Sequence, residues 1–299
     1  MHSSPQKNIY TGILFAFLAV VIWAGNFIIA RGVYQQIPPI SLSFYRWLLA
    51  SIIIFPFAVK AFAKEWPAVR QAWIYFFLAS SMGVALFNTL MYVGAHYTSA
   101  INLALIGTTS SPIMATIMAR IFLKEQIGWL KLAGLVLCVT GVLFLLSKGD
   151  FRNLFNFQFS TGDIWALGAA FCFAVYNTLV KKKPSSISPI NFLFVVFVFG
   201  TIMLLPFYLW ETSHIPAVSW NYNLLLIILF LGLGASVISF LSWNVAVGHL
   251  GAGRTALFGN LIPVFSSIEA ALLLNEDFTN VHIVSMVLVF TGIIVANRK

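Results

Sequence analysis

The sequence predicts an all-α integral membrane protein of ten transmembrane helices, arranged as two inverted five-helix repeats. Three observations carry that reading. The chain is 60% hydrophobic and 8% charged, against roughly 25% charged residues in a soluble domain. Its apolar residues fall into ten runs, each close to the about 20 residues that cross a hydrocarbon core about 30 Å thick. One offset, 151 residues, lays Gly83 on Gly234, Pro112 on Pro263, Ala119 on Ala270, Leu123 on Leu274, Glu125 on Glu276 and Gly141 on Gly292 without an insertion. In each half a proline precedes the glutamate by 13 residues, and the glycine of a Thr-Gly pair follows it by 16. A register held that long marks a duplication, with 1–150 as the first five-helix repeat and 151–299 as the second.

The first run, Gly12 to Ala30, follows Lys7 as the core of a signal peptide does. Its length and its repeat partner, Gly162 to Val180, keep it as span 1. The other spans are expected at 41–62, 72–93, 101–120, 130–147, 162–181, 190–210, 224–247, 253–274 and 281–297. Basic residues in short loops favour the cytoplasm. With the N-terminus inside, the inner loops and tails collect 13 of the 17 Lys and Arg residues, which places both termini in the cytoplasm. Five spans per half is an odd number, so the second half enters the membrane from the opposite side. Such inverted repeats surround a site near the midplane of the bilayer and alternate its access by rocking one half against the other.

The net charge of +9 is dealt out in twos and threes between apolar runs, a topology signal rather than a nucleic-acid stripe. The two cysteines, Cys138 and Cys172, lie inside apolar runs and offer no disulfide framework. His2, His96, His214, His249 and His282 stand in tails or loops with no two at metal-ligand spacing, and no phosphate loop or nucleophile elbow occurs. An enzyme, a metal and a cofactor are therefore not expected. Glu125 and Glu276, equivalent positions on opposite faces, are read as pairing or capping groups for the helices that follow them.

Polar side chains in hydrocarbon are costly unless they face the bundle interior or a wet cavity. Asn88 and Tyr92 share one face of span 3, and the offset places Ser239 and Trp243 of span 8 opposite them. Span 1 offers Trp23 and Asn26, and span 6 offers Phe173, Tyr176 and Asn177. The simpler reading of any single one is helix-to-helix glue; as a set they read as a cavity lining, in which Trp23, Tyr92, Tyr176 and Trp243 supply flat faces for an aromatic ring. On that reading Trp243→Ala and Tyr92→Ala reduce transport without reducing folded protein. Pro112 and Pro263 are expected to kink spans 4 and 9, where Thr108 and Asn260 can use the carbonyls set free. Arg46 and Glu269 are the basic and acidic residues lying well inside spans. Three readings stay open for them: they pair, they separately hold the carboxylate and amine of a zwitterion, or Glu269 carries a proton. The structural alternative is that each reaches the interface.

The WAGNF stretch ending in Phe27, FYRWLLA in span 2, SSPIMATIMARIFLKE with its later Thr-Gly, and PVFSSIEAALLLNE in span 9 resemble the drug/metabolite transporter superfamily, and within it the ten-helix EamA-type exporters. The resemblance covers the whole chain. It departs in one place: Asn191 to Phe194 carries no arginine where FYRW stands, so Arg46 has no symmetric partner. The chain looks most like the bacterial inner-membrane exporters of aromatic amino acids. That resemblance implies efflux of aromatic and other neutral amino acids from a cavity between the halves, by a monomer in the bacterial inner membrane whose partners are its small-molecule substrate and the lipid bilayer. Export of drugs or other small neutral metabolites is the alternative.

Overall fold

The computed structural model describes residues 5–33, 36–97, 100–156, 160–215, 218–274 and 278–298, and every regular element among them is helical. Helix α1 spans Pro5–Val33 and α2 spans Pro39–Gln71. Pro38, extended at φ −61° and ψ 151°, hands the chain to Pro39 in the first turn of α2, where a missing N–H costs nothing. At 1.5 Å per residue this helix is about 50 Å long, more than the hydrocarbon needs. The expected end at 62 falls among the charged residues Lys60, Lys64 and Glu65; the backbone runs on because alanine, lysine, glutamate and arginine are good helix formers.

Span 3 is built in three pieces: α3 (Trp73–Ser80), a π-helical turn at Ser81–Leu86, and α4 (Phe87–Tyr97). Helices α5 (Ala100–Leu123) and α6 (Trp129–Leu146) follow, then a 3-10 turn at Phe151–Asn156, α7 (Thr161–Lys181) and α8 (Pro189–His214). Span 8 repeats the three-piece pattern as α9 (Tyr222–Leu229), a π-helical segment at Phe230–Ile238, and α10 (Ser239–Leu250). The chain closes with α11 (Ala252–Phe258), a 3-10 turn at Gly259–Leu261, α12 (Ile262–Leu274) and α13 (Asn280–Asn297).

The two prolines differ in their setting. Pro112 lies inside α5, whereas Pro263 is the second residue of α12, just after the 3-10 break. Gly259 and Asn260 occupy the places that Thr108 and Thr109 hold in the first half, and glycine is the poorest helix former after proline. Asn260 Nδ2 donates to the Leu257 carbonyl at 3.0 Å, taking an acceptor at the break. The side chain of Thr108 lies outside the described residues.

Among the described residues eight helices are long and apolar enough to cross a membrane, and 110–123 adds a shorter apolar one. Large apolar side chains such as Leu14, Ile52, Phe57, Ile121 and Val287 face outward, as they do where the surrounding solvent is lipid. The chain is a multi-pass, all-α membrane protein. Helix α2 packs on α8, α6 on α13, α1 on α10 and α12, and both α4 and α5 on α7. Each of these pairs joins a helix before residue 150 to one after it.

The α2 and α8 pair is clasped at both ends. Glu211, near the end of α8, accepts from the backbone N–H of Ile40 at 3.1 Å, that of Ser41 at 2.6 Å, and the Ser41 hydroxyl at 2.7 Å. Glu65, near the end of α2, accepts from Ser188 N–H at 2.9 Å, its hydroxyl at 3.2 Å, and Asn191 Nδ2 at 2.7 Å. A carboxylate gains at a helix N-terminus from unpaired N–H groups and the helix dipole. Glu211→Ala, which strands buried donors, is expected to destabilise by about 1–3 kcal/mol and Glu211→Gln by less. An unfolding midpoint unchanged by the alanine would show that the clasp carries no stability.

Candidate functional site

The FYRW stretch lies near the start of α2, and its neighbours fix where Arg46 points. Phe44 stacks on Tyr208 of α8 at 4.2 Å between ring centroids. Tyr45 shares a 2.7 Å hydrogen bond between hydroxyls with the same tyrosine and sets its ring edge-on to Trp220. Arg46, with only 1% of its surface exposed, reaches instead toward α1, α4 and the π-helical segment before α10. Its Nε donates to Ser236 Oγ at 2.7 Å and its Nη2 to the Ala235 carbonyl at 2.9 Å. Its Nη1 donates to Asn88 Oδ1 at 3.1 Å and Tyr92 Oη at 3.0 Å, with Asn26 Oδ1 at the longer distance of 3.5 Å. The four-residue spacing of Asn88 and Tyr92 delivers both acceptors to one nitrogen.

The π-helical turn supplies the remaining acceptors. Its wider winding takes carbonyls out of the usual ladder, and Ala235 uses one of them twice, accepting from Trp23 Nε1 at 2.9 Å as well as from Arg46. Ser236 is itself held by donating to Leu231 O at 2.8 Å. Ser239 donates to Gly234 O at 2.9 Å, so it stabilises the same segment.

Trp23 joins this polar group to an aromatic one. Its ring lies 5.0 Å from Trp243, 5.7 Å from Phe173 and 5.6 Å from Phe240, and Phe173 stacks on Phe87 at 4.6 Å. Trp243 Nε1 donates to Asn177 Oδ1 at 2.6 Å, Asn177 Nδ2 donates to Phe173 O at 2.9 Å, and the Tyr176 hydroxyl donates to Asn244 Oδ1 at 3.0 Å. Tyr176 can enter only because residue 83 has no side chain: a Cβ there would lie 2.2 Å from its ring. In this conformation the rings of Trp23 and Trp243 pack against each other, and those of Trp23, Tyr176 and Trp243 against Phe173.

Glu269 is half-buried on α12, its Oε2 3.2 Å from where a Cβ on Gly25 would stand. One turn earlier, Ser266 donates to Ala24 O at 3.2 Å, so this face of α12 rests on α1 beside Asn26. Glu269 and Arg46 form no ion pair, and among the described residues no carboxylate pairs with Arg46. Arg46 does not snorkel either, since it is closed in on all sides. Elsewhere, Glu125 pairs with Lys131 at the start of α6 at 3.2 Å, as the sequence suggested, and also accepts from Ala252 N–H at the start of α11.

Of the residues the sequence singled out, the structure brings Trp23, Asn26, Arg46, Asn88 and Tyr92 into one group and Tyr176, Asn177 and Trp243 into the adjoining one. Sequence reasoning missed Ser236, the Ala235 carbonyl and Trp47. The signal for the first two was the stretch Gly232 to Ser236, small at every position but Leu233, a place where a helix can widen; nothing in the local pattern marked Trp47 beyond its position next to Arg46.

The model of the EamA-like transporter family matches this chain twice, over residues 10–147 and 160–298. An "Uncharacterized transporter" of Archaeoglobus fulgidus is 28% identical over 98% of this chain and 99% of its own length. The "Uncharacterized transporter YyaM" of Bacillus subtilis is 26% identical over 96% of this chain and 94% of its own. A protein of Escherichia coli named "Probable amino-acid metabolite efflux pump" is 24% identical over 93% of this chain and 92% of its own. One solved crystal structure superposes with a TM-score of 0.76 over 96% of both chains at 16% identity, a likeness of fold.

Proposed function

Because the chain belongs to the EamA-like transporter family, we propose that it is a secondary transporter exporting aromatic and other neutral amino acids, similar to the bacterial aromatic amino-acid exporter YddG, by alternating access between two inverted five-helix repeats, 1–150 and 151–299. The observation that carries this reading is the polar group around Arg46, which sits deep in an apolar molecule and is assembled from both matched segments: Asn26, Arg46, Asn88 and Tyr92 from one, Ala235 and Ser236 from the other. The exchange of partners between halves, α1 with α10 and α4 with α7, supports a twofold arrangement of inverted repeats. The shared family with an amino-acid metabolite efflux pump supports the substrate class. The proposed setting is the bacterial inner membrane with both termini cytoplasmic, and the proposed substrate contacts are the groups around Arg46 and Trp23, opened when the halves part.

The test is uptake of labelled phenylalanine into liposomes holding the purified protein, with and without an imposed pH gradient. Saturable uptake inhibited by tryptophan is expected. Folded protein that carries no amino acid would move the reading to drugs or other small neutral metabolites. Glu269 is half-buried on α12 with no hydrogen bond or ion pair among the described residues, and it is the proposed proton site. In Glu269→Gln, uptake should lose its response to the pH gradient while counterflow exchange continues; an unchanged response would remove Glu269 from the coupling.

A further inference from the structure

We propose that Arg46 and the donors packed against it form a carboxylate-binding site when the halves part, and that the substrate's carboxylate is the anion this buried guanidinium lacks among the described residues. The inference rests on the amino-acid reading above and gives it a chemical anchor. A guanidinium keeps its charge in a protein interior and offers five N–H donors. Here Nε and Nη1 are met by Ser236, Asn88 and Tyr92, while Nη2 meets one acceptor, the Ala235 carbonyl. Every one of these acceptors is neutral. They solvate the charge without balancing it, and an unbalanced ion in a dry interior is costly.

Two further donors, on residues that touch it, are also unmet. Asn88 Nδ2 has no hydrogen-bond partner, and neither has Trp47 Nε1; the two residues are 5% and 0% exposed. Asn88 cannot cure this by turning its amide, because its Oδ1 already accepts from Arg46 and the reversed amide would set N–H against N–H. The Trp47 ring lies 4.9 Å from the Arg46 guanidinium carbon. What is missing around Arg46 is thus an acceptor in every case, never a donor. A cation or an amine would leave all three groups unmet. A carboxylate supplies two oxygens with several lone pairs and one negative charge, matching one buried cation. A phosphate would bring more charge than this single arginine balances. Glu269 is not that anion, since it lies against Gly25 and does not reach the guanidinium.

The experiment titrates wild-type protein in detergent with four related molecules, following intrinsic tryptophan fluorescence: phenylalanine, phenylalaninamide, phenylacetate and phenethylamine. Phenylalanine and phenylacetate are expected to bind, and the two molecules without a carboxylate to bind about tenfold or more weakly, the loss expected for hydrogen bonds to a charged group. In Arg46→Gln the preference should vanish, with phenylalanine and its amide alike. Should that variant fail to fold, the wild-type series decides alone. Amide and amine binding as tightly as phenylalanine overturns the proposal, as does failure of phenylacetate, or of all four molecules, to bind. Phenylacetate binding by a protein that carries no amino acid into liposomes would uphold the carboxylate site while removing the amino-acid reading. Equal transport of phenylalanine and phenylalaninamide would do the reverse.

Discussion

Gly134→Leu is expected to leave little folded protein. Helices α6 and α13 meet almost backbone to backbone: a Cβ at Gly134 would stand 2.4 Å from the Gly292 carbonyl oxygen and 2.5 Å from Ala296 Cβ. The approach is mutual, since a Cβ at Gly292 would lie 2.6 Å from the Gly134 carbonyl oxygen. Those obstacles are backbone and Cβ atoms, which cannot swing aside as a long side chain does. The helices would have to part, and with them the Ser285 hydroxyl bond to Gly141 O at 2.8 Å. In lipid there is little hydrophobic drive to bring helices together again, so close packing of small residues carries the association. Ordinary overpacking costs about 1–3 kcal/mol; parting two helices over this length should exceed that and approach the whole stability of about 5–15 kcal/mol. Size-exclusion recovery and the unfolding midpoint measure it, with Gly128→Ala as control because a Cβ there meets nothing within 4 Å. A wild-type midpoint for Gly134→Leu would mean that α6 and α13 do not meet this closely.

The offset of 151 residues made this contact partly legible. It singled out the Thr-Gly pairs, and Gly292 of the second pair turns out to be the close-approach position; Gly134, its partner, belongs to no such mark. Arg46 was legible because a lone charge inside an apolar run, about five residues from its outer end, has to be explained by its surroundings, and the four-residue spacing put Asn88 and Tyr92 on one face. Two things were out of reach for physical reasons. Which acceptors meet the guanidinium depends on where the helix before α10 widens, and the resulting carbonyl of Ala235 belongs to the backbone, which no residue letter announces. Whether an aromatic face is open or covered depends on helix packing between residues more than 200 apart, as with Trp23 and Trp243. The same holds for Pro263: its letter and spacing repeat Pro112, yet Gly259 just before it turns a kink within a helix into a break between two.

Trp243→Ala illustrates the consequence. From its spacing alone it was expected to lower transport and spare the fold. The residue is wholly buried, packed on Trp23 and Phe173 and bonded to Asn177. Removing so large a buried ring costs about 3–5 kcal/mol, so the unfolding midpoint should fall well below that of wild type. Trp243→Phe keeps a ring but strands Asn177 Oδ1 without its donor, at about 1–3 kcal/mol. Tyr92→Phe is the informative contrast. It leaves the packing almost whole and removes one acceptor from Arg46, so stability should fall by the about 1–3 kcal/mol of one stranded donor rather than by the loss of a ring, and uptake in liposomes should fall as well. A midpoint for Trp243→Ala within a degree of wild type would mean that the aromatic cluster opens readily and that its faces are available to a substrate after all. A large fall places the cluster among the parts that hold the two halves together in this conformation.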